Sequence, residues 1–168
     1  MKVALVYDRV NKVGGAERVL VALHEIWPKA PLYTAVYNRA GSGWAKDFAV
    51  IHSFLDKMPV AKRHHEFFPW LAQLAFEGFD FTGYEMVISV SSAEAKGIIT
   101  QPETFHVNYC LTPTRYLWGE NRYEVPVVTN YLRKWDLMAS QRQDKIISVS
   151  ETVRERVKKY YKRESEVV

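Results

Sequence analysis

Cysteine is almost missing from this chain. Cys110 is the only one in 168 residues, which excludes an intrachain disulfide framework and suits a reducing compartment. Long apolar runs are missing too: none approaches the roughly 18–20 residues of a membrane-crossing helix. The N-terminal apolar run stops at Asp8-Arg9, too soon for a signal-peptide core, so a cytoplasmic location is expected. There is no GxGxxG fingerprint, and the glycine pair Gly14-Gly15 lacks a P-loop lysine. Metal-ligand spacing is also lacking, since neither His52 nor His64-His65 is completed by cysteines or carboxylates; no metal and no cofactor are expected. No Ser-His-Asp order, internal repeat or low-complexity segment can be read. The basic excess is small, 23 Lys and Arg against 19 Asp and Glu. It favours anionic partners such as phosphates or a membrane surface and gives no case for nucleic acid.

What is present is ordinary globular material, 48% hydrophobic and 25% charged, long enough for one domain over residues 1–168 with a full core. Val3–Tyr7 is a short β-branched apolar run, the pattern of a strand buried on both faces. After Gly14-Gly15, residues Ala16, Leu20, Leu23 and Trp27 recur at helical spacing, with Glu17 in the first turn and Pro28 as a stop. Strand, glycine turn, helix is an arrangement in which unpaired helix amides attract phosphate. A tight turn without a ligand is the alternative.

Further strands are expected at Leu32–Tyr37, Phe48–His52, Tyr84–Val90, Thr104–Cys110 and Lys145–Val149. Between them, Val60–Phe76 reads as helical with a break at Pro69, and Ser91–Gly97 as a short helix capped by serines. Leu111–Tyr123 reads as a loop. Val128, Leu132, Trp135 and Met138 mark the buried face of an amphipathic helix, and Ser150 is the N-cap of another bearing Val153, Val157 and Tyr160. Glu166–Val168 reads as a strand being started. Alternating strands and helices predict an α/β Rossmann-like three-layer domain with a mostly parallel twisted sheet. Ligands of such folds sit beyond the carboxyl ends of the strands, where Asp8–Gly15, Ser91–Lys96, Leu111–Arg115 and Ser150 converge.

Four motifs, GGAERVL at Gly14–Leu20, FDFTGYEMVISVSSAEAKGII at Phe79–Ile99, YCLTPTRYLW at Tyr109–Trp118 and IISVSETVRERVKKYY at Ile146–Tyr161, occur in this order. Together they resemble the N-terminal domain of glycosyltransferase family 4, retaining enzymes of the two-domain GT-B architecture, and bacterial polysaccharide mannosyltransferases above all. The resemblance implies that Gly14 and Gly15 meet the diphosphate of a nucleotide-sugar donor. It implies that the loop with Thr112, Arg115 and Tyr116 borders a glycan or lipid-linked acceptor and the transferred sugar. It also implies that the main donor site lies in a C-terminal domain absent from these 168 residues. Relatives often carry a histidine before the Thr-Pro pair; Leu111 stands there, and no catalytic residue is assigned.

Individual residues carry two readings each. Asp8 either accepts hydrogen bonds from sugar hydroxyls or binds nearby loop amides. Arg115 and Lys96 either pair with phosphate or form surface salt bridges. Tyr116 and Trp118 stack on a sugar or simply pack, and Cys110 is read as a small core residue. The stretch Lys57–Phe81 sets Lys57, Lys62 and Arg63 before a dense aromatic run that includes Trp70. It reads either as a peripheral membrane contact or as a core helix. The competing function is a non-catalytic Rossmann-type module that binds a phosphorylated ligand. A receiver-like domain would need more acids at the first strand than Asp8 alone.

Overall fold

A computed structural model describes residues 1–11, 13–58, 69–119 and 126–168. Seven strands form one sheet in the order β3-β2-β1-β4-β5-β6-β7: β1 (Val3–Tyr7), β2 (Leu32–Thr34), β3 (Val50–His52), β4 (Met86–Ser91), β5 (Phe105–Cys110), β6 (Lys145–Ser148) and β7 (Glu166–Val167). Every pairing among the described residues is parallel, so the fold is a Rossmann-like α/β sheet. β1 is an interior strand, between β2 and β4, with all five residues buried, as a run of Val, Ala, Leu, Val and Tyr requires. β2 and β3 are shorter than their sequence patterns.

One row across the sheet, Tyr33, Val6, Ser89, Asn108 and Ile146, fixes which side chains share a face. On the opposite face, Leu5, Leu32, Ile88, Val90 and Val107 pack with Leu20 of helix α1 (Gly15–Ile26). On the row's own face, Ala4, Val6 and Val87 meet Ala72, Ala75 and Phe76 of α2 (Pro69–Glu77). Farther along, Cys110 and Ile146 meet Val153, Val157 and Tyr161 of α5 (Glu151–Tyr161). The remaining described α-helices are α3 (Arg115–Trp118), a single turn inside the segment read as loop, and α4 (Pro126–Ala139), the longest of them. α2 begins at Pro69, which suits a first helical position; residues 60–68 of the expected helix lie outside the described residues.

Two local expectations change. The turn after β4 has Ala93 at its start with no side-chain cap, so the serines do not cap it. And α4 buries Thr129, Leu132, Asp136 and Ala139, whereas Val128 and Met138 are exposed. Ser150 caps α5 as read, its hydroxyl accepting from the Val153 amide at 3.3 Å.

The face of β4 and β5 beneath these helices carries a buried polar column. Ser91 donates to Asn108 Oδ1 at 2.8 Å, and Ser89 Oγ lies 2.9 Å from His106 Nε2. Burial holds the His106 imidazole far below its ordinary value, at about 3, with Asp144 opposing weakly. The folded chain therefore keeps His106 neutral where the unfolded chain protonates it below about 6.5, so stability is present above that pH and lost as pH falls. The loss between pH 7 and pH 5 should be about 2 kcal/mol at roughly 1.4 kcal/mol per unit. Urea midpoints at both pH values check this: His106→Gln should remove most of that pH dependence, whatever its cost at pH 7.

Candidate functional site at the sheet switch point

β1 connects to β2 on one side and is paired with β4 on the other, so the chain reverses its direction of travel between β1 and β4. Such a switch point leaves a crevice beyond the carboxyl ends of the two strands. Asp8 follows β1 directly and is almost fully buried there. Its Oδ2 accepts from the Ser92 amide at 2.7 Å and the Ser92 hydroxyl at 3.2 Å, and its Oδ1 accepts from the Ala95 amide at 2.8 Å. Asp8 thus does the capping expected of the serines and ties β1 to the turn after β4. Of its two readings, the bond to loop amides is the one that its oxygens make.

That turn carries Glu94, only 2% exposed, held between the Arg9 guanidinium at 3.3 Å and the Tyr116 hydroxyl, which donates to Glu94 Oε1. Desolvation is the main influence on Glu94 and raises its carboxyl above the usual range, with Arg9 pulling the other way. Burial and the neighbouring Glu94 push the Tyr116 phenol well above its ordinary value. Arg9, just beyond β1, Glu94, from the β4 turn, and Tyr116, from α3, thus form one cluster across three strand ends. Sequence reasoning named Tyr116 and missed Arg9 and Glu94. Their signal was position alone, one beside Asp8 and the other inside the SSAEAKG turn.

Gly14 is extended at φ −165°, and neither it nor Gly15 needs the left-handed region, which among the described glycines only Gly83 occupies. Gly15 carries no backbone strain, and a Cβ built there meets nothing within 4 Å. At Gly14 a Cβ would come within 3.0 Å of Glu17 Oε2. Glu17 is buried in the first turn of α1 and accepts from the Tyr7 hydroxyl at 2.7 Å, so the start of α1 already has a carboxylate beside it.

Lys96 is corrected outright. It is neither a phosphate contact nor a surface ion pair, being 1% exposed with Nζ 2.5 Å from Asp136 of α4. Nζ also donates to Thr114 Oγ1 at 2.9 Å and the Ala93 carbonyl at 2.5 Å. Asp136 further accepts from Thr114 Oγ1 and Trp118 Nε1, each at 2.7 Å. Lys96 therefore anchors the loop after β5 from below. Thr112 is buried in that loop, and Trp118 stacks on Tyr160 at 5.2 Å, which is packing. Cys110 is core, its thiol pushed up by burial to about 12.

Arg115 is exposed at the head of α3. Of the expected membrane contacts, Lys57 and Trp70 are exposed, whereas Lys62 and Arg63 lie outside the described residues, as do His64 and His65. Phe76 and Phe81 from the same aromatic run are core. Among the described residues no group of three or more potential metal ligands occurs, and no helix is long and apolar enough to cross a membrane. Compared with known protein families, curated proteins and solved structures, the chain matches none of them.

Proposed function

We propose that this chain is the acceptor-binding, N-terminal half of a retaining glycosyltransferase. It would transfer a hexose, mannose favoured, from a nucleotide sugar to a lipid-linked or oligosaccharide acceptor. The observation that carries this reading is the cluster of Arg9, Glu94 and Tyr116 at the switch point of an all-parallel sheet whose first strand leads into α1. Three of the four motifs of the family resemblance supply segments around it: α1, the β4 turn and the loop after β5.

In this reading the first amides of α1 meet the donor diphosphate. Arg9 offsets the Glu94 carboxylate, and Arg115 stands at the acceptor side. Charge on the leaving diphosphate is met by cations and amides, with no metal clamp required. Catalysis needs both reactants held in near-attack geometry, so residues 1–168 alone should give no turnover, and activity should need a donor-binding domain. The alternative is a non-catalytic module, which would bind a phosphorylated ligand with these residues alone.

Gly15→Val tests the reading in the two-domain protein. A side chain there sits at the first helix amides; its Cβ meets nothing within 4 Å and the position strains no backbone. Transfer should fall by about a hundredfold while the melting temperature stays within a few degrees. Unchanged transfer by the folded variant would remove the glycine turn from the site, and turnover by residues 1–168 alone would remove the two-domain reading.

A further inference from the structure

The switch-point crevice lies beyond the carboxyl ends of the strands, and a second recess opens at their amino ends. A cleft of about 870 Å³ runs there between the end of α1, with the turn that follows it, and the starts of β1 and β4. That is the size of a site for a small organic molecule. Its walls are set by local chemistry. Pro28 stops α1, Pro31 precedes β2, and the Ala30 amide closes the turn between them on the Trp27 carbonyl at 3.0 Å. On the β4 side Gly83 takes φ +77°, which glycine adopts without strain, and Tyr84 follows it. The Tyr84 hydroxyl lies 3.2 Å from that of Tyr33, and the Tyr84 carbonyl accepts from the Thr104 hydroxyl at 2.7 Å. Both walls are therefore formed without a ligand.

The lining is largely apolar. Trp27 and Tyr84 are partly buried, whereas Ile26 and Ile51 are 64% and 39% exposed. Three charged side chains share the cleft with them: Lys2, Lys29 and Glu85. Glu85 is already engaged, accepting from the Lys2 amide at 2.5 Å and lying 3.5 Å from the Met1 ammonium. These two contacts hold its carboxyl below the usual range. Lys2 sets its ammonium 4.6 Å from the centre of the Tyr84 ring, and neither lysine has an ion-pair partner among the described residues. The carboxyl end of α1 adds a partial negative charge of about half an elementary charge, which two ammonium groups outweigh. Aromatic walls beside two uncompensated cations complement a flat apolar body that carries one anionic group. A cationic ligand would be repelled by both lysines, and a neutral one would leave them unused.

We propose that this cleft is a second binding site, one that takes a small aromatic anion such as an aromatic carboxylate or sulfonate. It lies at the opposite end of α1 from the glycine turn, so it goes beyond the transferase reading and does not rest on it. Cleft and crevice share β1 and α1, each being bounded by one end of both elements.

Fluorescence titration of the 168-residue chain with anilinonaphthalene sulfonate tests it, beside phenylnaphthylamine, the same ring system without the sulfonate. The sulfonate should saturate at one molecule per chain, and the neutral dye should bind about tenfold more weakly. Lys29→Glu should weaken the sulfonate by about tenfold and leave the neutral dye as it was. Ile26→Ser should weaken both dyes by about fivefold. Both variants should melt within a few degrees of wild type, because both side chains are exposed. Tyr131→Ser, on the exposed face of α4, and Gly15→Val, at the other end of α1, should leave both affinities unchanged. Equal affinity of wild type, Lys29→Glu and Ile26→Ser for the sulfonate would overturn the proposal, as would equal affinity of wild type for the two dyes. Absence of saturable sulfonate binding to folded wild type would overturn it as well. Loss of binding in Gly15→Val would move the dye to the crevice and overturn it, whatever that variant does to transfer. Self-association of wild type reversed by Ile26→Ser, without saturable dye binding, would give the cleft to a second copy and overturn it equally.

Discussion

Replacing Lys96 by Met should lower stability by about 3–5 kcal/mol, the cost of leaving a buried partner charge uncompensated. Methionine follows the lysine stem closely, so the packing against α4 is largely kept and the change isolates the charge. What remains is Asp136, 1% exposed, with Thr114 Oγ1 and Trp118 Nε1 as donors but no cation at 2.5 Å. A surface ion pair would contribute no more than about 1 kcal/mol, so the measurement separates the two readings of Lys96 cleanly. At roughly 2–4 °C per kcal/mol for a chain of this size, the melting temperature should drop by about 10 °C. The double variant Lys96→Met/Asp136→Leu should regain much of that loss, because no buried charge is left. It should not regain all of it, since the Thr114 hydroxyl and the Trp118 indole lose their acceptor, at about 1–3 kcal/mol each. A Lys96→Met melt within about 2 °C of wild type would mean that water reaches this pair after all.

The same pair explains why part of the molecule could not be read along the chain. β1, α1 and the Ser150 cap are local: an apolar run, a helical period and a hydroxyl three residues from its amide. They were legible. α4 carries two competing stripes, and hydrophobic period alone favours the one through Val128 and Met138. The ion pair to Lys96 selects the other, and that partner lies in the turn after a strand, before β5 has even begun. Tertiary pairing overrides pattern there. The candidate site divides in the same way. Its location followed from strand–helix alternation, whereas its wiring, Asp8 to the Ser92 and Ala95 amides and Arg9 to Glu94, joins segments on opposite sides of the switch point. Serines at the head of a turn are good caps by composition, and only the fold brings a better acceptor to the same amides.

Asp8→Asn should therefore cost more than its near-identical shape suggests, about 3 kcal/mol. The carboxylate takes two amides and a hydroxyl on two oxygens, and bonds to a charged acceptor are roughly twice as strong as neutral ones. Asparagine offers one oxygen. Whichever way its amide is turned, the NH2 faces a backbone N–H, so one buried donor loses its partner and meets a second donor. The damage should be directional as well as global, because Ser92 and Ala95 flank Glu94 and hold its turn against β1. Hydrogen exchange can resolve this: the Ser92 and Ala95 amides should lose protection beyond the global change, while amides of α5 follow global stability alone. In the two-domain protein the loosened turn should let Glu94 leave Arg9 and Tyr116, so transfer should fall by about tenfold or more even where the variant is fully folded. Alanine at position 8 separates the two effects. It removes the mismatched donor but also the cap, so it should match asparagine in exchange at Ser92 and Ala95 and exceed it in global stability if donor–donor conflict is the larger cost. Protection at both amides unchanged in Asp8→Asn would show that the turn holds itself, and Asp8 would lose its role in shaping the crevice.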